Sequence, residues 1–260
     1  MRHLSIALTF LIAASAAMAQ GDDPEEYARK TIGKALKATG VEGKAIPKAL
    51  RVKNKFTVEV FDGKAEPQEV KVAQTFTIRF PLQFKEVNEL TAMGETMTST
   101  TIFDGKNGWT KFNGRVDDAD AEALKGFKDT ANVVEATFFL TPLLDKQKYK
   151  LKAIGMALVE GRRTAEILVS IEGFRDMKLY FDYRTNLLVK MESKVRDSKT
   201  GMECDESRMY RSYEKINGRM VPMTVSILRN GELAVEIQTV DYTELNDVDP
   251  KEFARPSELN

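Results

Sequence analysis

The chain has one histidine, one cysteine and one tryptophan. The histidine, His3, lies in an N-terminal stretch that reads as a removable leader, so the mature chain is expected to contain none. Without histidine neither a Ser-His-Asp nor a Cys-His arrangement can be built, nor the usual zinc sites of mixed ligands. Carboxylate, lysine and tyrosine chemistry remains open in principle, but no spacing singles out a catalytic pair and no motif of a known chemistry occurs. The expectation is therefore a protein that is not an enzyme, with no cofactor and no metal. Cys204 stands alone, which excludes an intramolecular disulfide, and its neighbours Glu203, Asp205 and Glu206 disfavour a thiolate. Stability must come from a core, and a mature chain of roughly 240 residues can bury about 70% of its unfolded surface.

An excess of either charge is also missing: 39 basic residues face 39 acidic ones, and loss of the leader takes only Arg2 from the balance. Such a chain has no electrostatic reason to hold nucleic acid. A long apolar run is lacking too. The one from Leu4 to about Ala17 falls short of the ~20 residues that a spanning helix needs. It is preceded by Arg2 and His3, closes with Ala17-Met18-Ala19, and is followed by Asp22, Asp23, Glu25 and Glu26, the order of a cleavable signal. Residues 1–19 are expected to be removed on export, and no cysteine follows the cut to take a lipid. The mature protein is expected to be soluble and periplasmic.

With 42% apolar and 30% charged residues spread along it, the rest reads as one globular domain. Pro24 to Thr39 carries Tyr27, Ala28, Ile32, Ala35 and Leu36 at helical spacing, opened by Asp-Pro and closed by Gly40. Residues 20–50 are thus a helix and linker. From residue 51 the period becomes two. Phe56, Val58 and Val60 form one apolar face before Asp62-Gly63; Val70, Val72, Phe76, Ile78 and Phe80 form the next. Strands follow near Phe84–Thr91, Met97–Phe103 and Trp109–Phe112. The segment 117–144 differs. Asp118 or Asp120 can cap it, Leu124, Phe127, Val134, Phe138 and Phe139 make an interrupted apolar stripe, and Pro142 ends or bends it. Strands then resume at Ala165–Ile171, Met177–Tyr183, Leu187–Val195, Met202–Glu214 and Val221–Ile227, the last pairing through Asn230-Gly231 with Leu233–Ile237. The fold class expected is α+β: about ten or eleven antiparallel strands in a strongly curved, open half-barrel, its concave face closed by the helices.

Several local patterns add a resemblance. Ile102-Phe103-Asp104-Gly105-Lys106-Asn107-Gly108-Trp109, Val159-Glu160-Gly161-Arg162, Leu179-Tyr180-Phe181-Asp182 with Thr185-Asn186-Leu187-Leu188-Val189-Lys190, Ile216-Asn217-Gly218-Arg219-Met220-Val221-Pro222 and Phe253-Ala254-Arg255-Pro256 occur in that order. The chain from about Lys30 to Pro256 resembles the LolA/LolB-type superfamily of outer-membrane lipoprotein-sorting proteins. That resemblance implies a half-barrel domain over residues 51–260, a non-enzymatic carrier that binds lipid or lipoprotein acyl chains, membrane-bound donor and acceptor proteins as partners, and a monomer. The alternative is an envelope regulatory or structural module of the same fold that binds a protein. Phe76, Ile78, Phe80, Met177, Leu179, Phe181, Met223 and Val225 are the cavity candidates that the resemblance implies, whereas alternation alone favours a packed core. Leu124, Phe127, Val134, Phe138 and Phe139 are the lid candidates. Trp109 reads first as packing; Asp117, Asp118 and Asp120 as caps before calcium ligands; Asp247 and Asp249 as loop residues; and Lys146, Lys148, Lys150 and Lys152 as a solvated face.

Overall fold

A computed structural model of the chain describes residues 23–60, 67–81, 83–197 and 201–258. The leader at 1–19 and the turn at Asp62-Gly63 lie outside the described residues. Helix α1 (Pro24–Ala38) starts where expected: the Asp23 side chain accepts from the Glu25 N–H, Pro24 occupies the first turn, and Glu25 and Glu26 stand at the positive end of the helix dipole. It ends at Gly40, whose φ of +75° suits glycine alone. A Cβ there would also lie 2.2 Å from the Gly218 carbonyl oxygen. The close approach pins the helix end to a β-turn, as does the bond from Met220 N–H to the Thr39 carbonyl (3.0 Å).

Thirteen strands follow in the described residues. They are β1 (Ala49–Val60), β2 (Gln68–Arg79), β3 (Gln83–Ala92), β4 (Glu95–Phe103), β5 (Gly108–Phe112), β6 (Arg115–Asp118), β7 (Lys150–Val159), β8 (Arg162–Ser170), β9 (Met177–Asp182), β10 (Leu188–Arg196), β11 (Glu203–Ile216), β12 (Arg219–Arg229) and β13 (Glu232–Leu245). They form one antiparallel sheet in the order β6-β5-β4-β3-β2-β1-β13-β12-β11-β10-β9-β8-β7. Every neighbour is sequential except β1 and β13, which join the two meanders into one open sheet.

Between β6 and β7, the two edges, runs the helical segment. Helix α2 (Ala121–Val134) passes directly into a π-helical turn at Glu135–Phe139 and, after Leu140 at φ +57°, a 3-10 turn at Thr141–Leu144. Laid flat, thirteen strands at ~4.8 Å spacing would span about 58 Å. Yet Val134 packs with Phe103 of β4, and Ala136, two residues on, packs with Ile167 of β8. The sheet must curl around this segment, and its inner face is the one the helices cover.

Two strands exceed the expected ten or eleven. In β6 the only apolar residue among four is Val116, and Asp117 and Asp118, expected to open the helical insertion, belong to this strand. In β7 the alternation breaks where the register shifts between Ala153 and Gly155. The insertion is mostly not α-helical after Val134, and α1 and α2 are the only α-helices among the described residues.

Candidate functional site

The inner face has two halves. Toward the α1 end the helices pack against it. Phe127 of α2 packs on Phe84 and Phe103 with ring centroids 5.7 and 6.1 Å away, and Phe139 meets the Phe80 ring edge-on at 4.5 Å. Leu124, Val134 and Phe138 join the same cluster, so all five lid candidates pack on one wall. The cavity candidates are not brought into one chamber. Phe76, Ile78, Phe80 and Met223 lie under this lid, whereas Met177, Leu179, Phe181 and Val225 pack in a second cluster with α1. The space left between Phe76, Ile78, Phe80 and α2 measures about 10 Å³ and admits no more than a water, whereas Met177 lines a separate space of about 370 Å³ beside α2.

Two arginines fasten this segment. Arg29 of α1 donates to the Leu143, Leu144 and Tyr149 carbonyls at 3.3 Å each while paired with Glu25. Arg219 of β12, only 6% exposed, pairs with Glu244 at 2.7 Å, lies over the Phe139 ring at 5.2 Å and donates to the Phe138 carbonyl at 3.4 Å. Both hold backbone carbonyls that the interrupted helix leaves without partners. A third fastening is steric: a Cβ on Gly108 would sit 2.5 Å from the Phe127 ring. Gly108→Ala is expected to lift that ring and destabilise the fold by about 1–3 kcal/mol. Thermal unfolding together with hydrogen exchange of α2 checks this; an unchanged midpoint would contradict it.

Toward the other end the inner face is bare. An open trough of about 1580 Å³ runs along it, walled by Phe56, Val58 and Val60 of β1, Val72 of β2 and Leu233 and Val235 of β13. In register, Phe56 faces Val72 and Ile227 faces Val235. Val52 on the same face of β1 lies under the lid, so by the strand period Phe56 and Val58 continue that surface into the open. Val60 and Leu233 remain 44% and 62% exposed. The cause is length: the 14 residues of α2 span about 21 Å, the 14 of β13 about 47 Å. No crossing angle lets one helix cover the whole strand. The alternation of Phe56, Val58 and Val60 marks a strand without telling a covered face from an uncovered one.

No family model and no curated relative matches the sequence. Solved structures do match in shape. A LolA superfamily protein from Nitrosomonas europaea superposes with a TM-score of 0.53 at 12% identity, over 87% of this chain and 97% of that one. A putative outer membrane lipoprotein-sorting protein domain from Vibrio parahaemolyticus gives 0.53 at 11% identity, over 87% and 97% of the two chains. A DUF1329 family protein from Desulfovibrio piger gives 0.51 at 11% identity, over 90% and 98%. The chain has the LolA-type fold.

Within the LolA-type fold the remaining nominated residues are structural. Trp109 is buried on the outer face with Ile102, Val116, Val248 and Phe253, under the turn Pro250–Phe253. Asp120 caps α2 by accepting from the Ala123 N–H, while Asp117 and Asp118 pair with Arg115 and Arg255. Asp247 accepts from Arg79, and Asp249 caps the last 3-10 turn. Lys146, Lys150 and Lys152 are exposed, and Lys148 pairs with Glu135. Cys204 is buried and unbonded.

Asp182, in the turn between β9 and β10, is buried, which works against ionisation; bonds from the Thr185 N–H and hydroxyl and the Arg184 N–H outweigh it and hold the carboxyl below the ordinary 3.8. With the folded value depressed, its stabilisation is present above the unfolded pKa and lost as pH falls through the folded one. Asp182→Asn is therefore expected to be less stable than the parent at neutral pH by about 1–2 kcal/mol, with the gap closing in strong acid. Urea titrations at both pH values read it; a gap independent of pH would contradict it.

Proposed function

We propose that the protein is a non-enzymatic envelope carrier, exported by the leader at 1–19, that lays an acyl chain of a lipid or lipoprotein along the open trough. The observation that carries this reading is the trough itself, an apolar surface on the inner face that the helices leave uncovered. Its volume exceeds the ~300–1,000 Å³ of ordinary small-molecule sites. Burying about ten methylenes at ~0.8 kcal/mol each supplies about 8 kcal/mol before the costs of immobilising the chain, enough for micromolar binding at best. Release needs no chemistry. The segment from α2 to Leu144, held by Arg29 and Arg219, is the movable part, and its opening would extend the trough over Phe76, Ile78, Phe80 and Met223. Membrane-bound donor and acceptor proteins are the partners such a cycle requires. Among the described residues no helix is long and apolar enough to cross a membrane.

Titration with saturated fatty acids of increasing length tests the reading. Each added pair of methylenes should tighten binding by roughly tenfold until the trough is full. Affinity independent of length would refute it. One observation favours a second reading: the trough is open along its side and rimmed by Lys55, Glu59, Lys71, Glu232 and Glu236, as a groove for a polypeptide would be. A regulatory module would then carry protein and no lipid when isolated from its own envelope.

A further inference from the structure

The inner face of the first meander is not apolar throughout. Asn54 of β1 stands between Val52 and Phe56 on that face, opposite Gln74 of β2 and Thr239 of β13, and Gln74 in turn lies opposite Asn88 of β3. Glu86 takes the neighbouring inner position of β3, opposite Phe76. Strand alternation calls for apolar residues at all of these places. Instead their side chains form one hydrogen-bonded belt across β13, β1, β2 and β3. The Thr239 hydroxyl donates to Asn54 Oδ1 (3.2 Å), Asn54 Nδ2 to Gln74 Oε1 (2.8 Å), and Gln74 Nε2 to Glu86 Oε1 (2.9 Å), which also accepts from Asn88 Nδ2 (2.8 Å).

Glu86 sets the direction of the belt. An ionised carboxylate only accepts, so Gln74 must offer it an N–H and accept with its own oxygen from Asn54. Each of these two carboxamides then keeps a second N–H that the belt does not use. Both side chains are half-buried, and among the described residues no cation pairs with Glu86. The belt is also where the trough stops. The trough is lined by residues 55–60 of β1, 71–73 of β2 and 232–236 and 238 of β13. The next residues inward are Asn54, Gln74 and Thr239, and beyond them Val52 and Phe76 lie under the lid. A methyl end pressed on this wall would strip two carboxamides and a carboxylate of water and give nothing in return. A polar end would replace that water. The rim adds no preference for anions, since Lys55 and Lys71 stand against Glu59, Glu232 and Glu236, and Arg229 pairs with Asp197.

We propose that the belt seats an uncharged carbonyl group, an ester or an amide, at the inner end of the acyl chain, and that Glu86 turns away a free carboxylate. The inference rests on the acyl-chain reading of the trough and names the form in which the chain is carried: esterified or amidated, not the free acid. Asn54 and Gln74 supply the donors, and Phe56, Val58 and Val60 hold the tail.

Binding of 1-lauroylglycerol and of dodecanoate, equal in chain length, to the mature chain at neutral pH tests it. The ester should bind about tenfold more tightly at low salt, the gap narrowing as salt rises. Glu86→Gln, which keeps an acceptor for Gln74, should close most of that gap by tightening dodecanoate alone. Gln74→Met, similar in length but without an N–H, should weaken the ester about fivefold. Thermal unfolding shows whether each variant is folded, and should Gln74→Met fail to fold, Glu86→Gln alone decides. Equal affinity for the two ligands in the parent, or a Glu86→Gln change that moves both alike, would overturn the inference and leave the trough intact. So would a folded Gln74→Met variant that binds the ester as the parent does. Failure of both ligands to bind would sink the trough reading instead.

Discussion

Val235→Glu is expected to weaken binding of a long-chain acyl probe by roughly a hundredfold while moving the unfolding free energy by less than about 1 kcal/mol. Val235 is half-buried, lines the trough and lies opposite Ile227 across the β12–β13 pair. A carboxylate there removes the apolar surface under about three methylenes, some 2–3 kcal/mol, and resists the dehydration that a seated chain imposes. The fold tolerates the change because the position faces solvent when the trough is empty. Val235→Leu, which keeps the surface apolar, should bind as the parent does. Fluorescence titration with an acyl probe, set beside thermal unfolding of each variant, reads both quantities; loss of binding without selectivity between Glu and Leu would argue against the trough.

Arg219→Met is expected to act on the lid. It removes the ion pair to Glu244, the contact with the Phe139 ring and the donor to the Phe138 carbonyl together. Glu244 keeps about a third of its side chain exposed, which limits the penalty of leaving it unpaired. The expected loss is about 2 kcal/mol, a fall in melting temperature of roughly 4–8 °C for a domain of this size. Hydrogen exchange should quicken over residues 135–144 well before β8 and β9 respond, because the segment opens as a unit. Arg219→Lys should recover little, since an ammonium cannot lie flat on the Phe139 ring and bond a carbonyl at once. Uniform acceleration across the sheet would mean that Arg219 serves the fold and not the lid.

Much of this architecture was legible from local signals. Asp-Pro at one end and Gly40 at the other bounded α1, and Asn230-Gly231 marked the β12–β13 turn, whereas the π-helical turn at Glu135–Phe139 left no break in the apolar spacing, since Val134 and Phe138 stand one helical turn apart. What escaped is set by pairing partners and by length. β6 has a single apolar residue, so nothing in its four positions has a period; its Arg115, Asp117 and Asp118 are fixed by pairing with β5 and by Arg255 near the chain end. The alternation that singles out the eight cavity candidates is the same for a residue under a helix and one beyond its end. Only the helix and strand lengths separate Val52, covered, from Phe56 and Val58, bare. The charged cluster on the inner face had a readable signal: Glu206 and Arg208 interrupt the apolar face of β11 that Cys204 and Tyr210 share, and Arg229 does the same after Ile227 in β12. Its place beside α2 depends on four strands distant from that helix in sequence.

The most direct test of the central claim is native mass spectrometry of the mature protein isolated from its own envelope, followed by lipid extraction of the same sample. The carrier account predicts an added mass that leaves on denaturation and reappears in the extract as a molecule with an acyl chain. A bare protein mass, with no uptake of an added fatty-acyl probe by the same preparation, would contradict it.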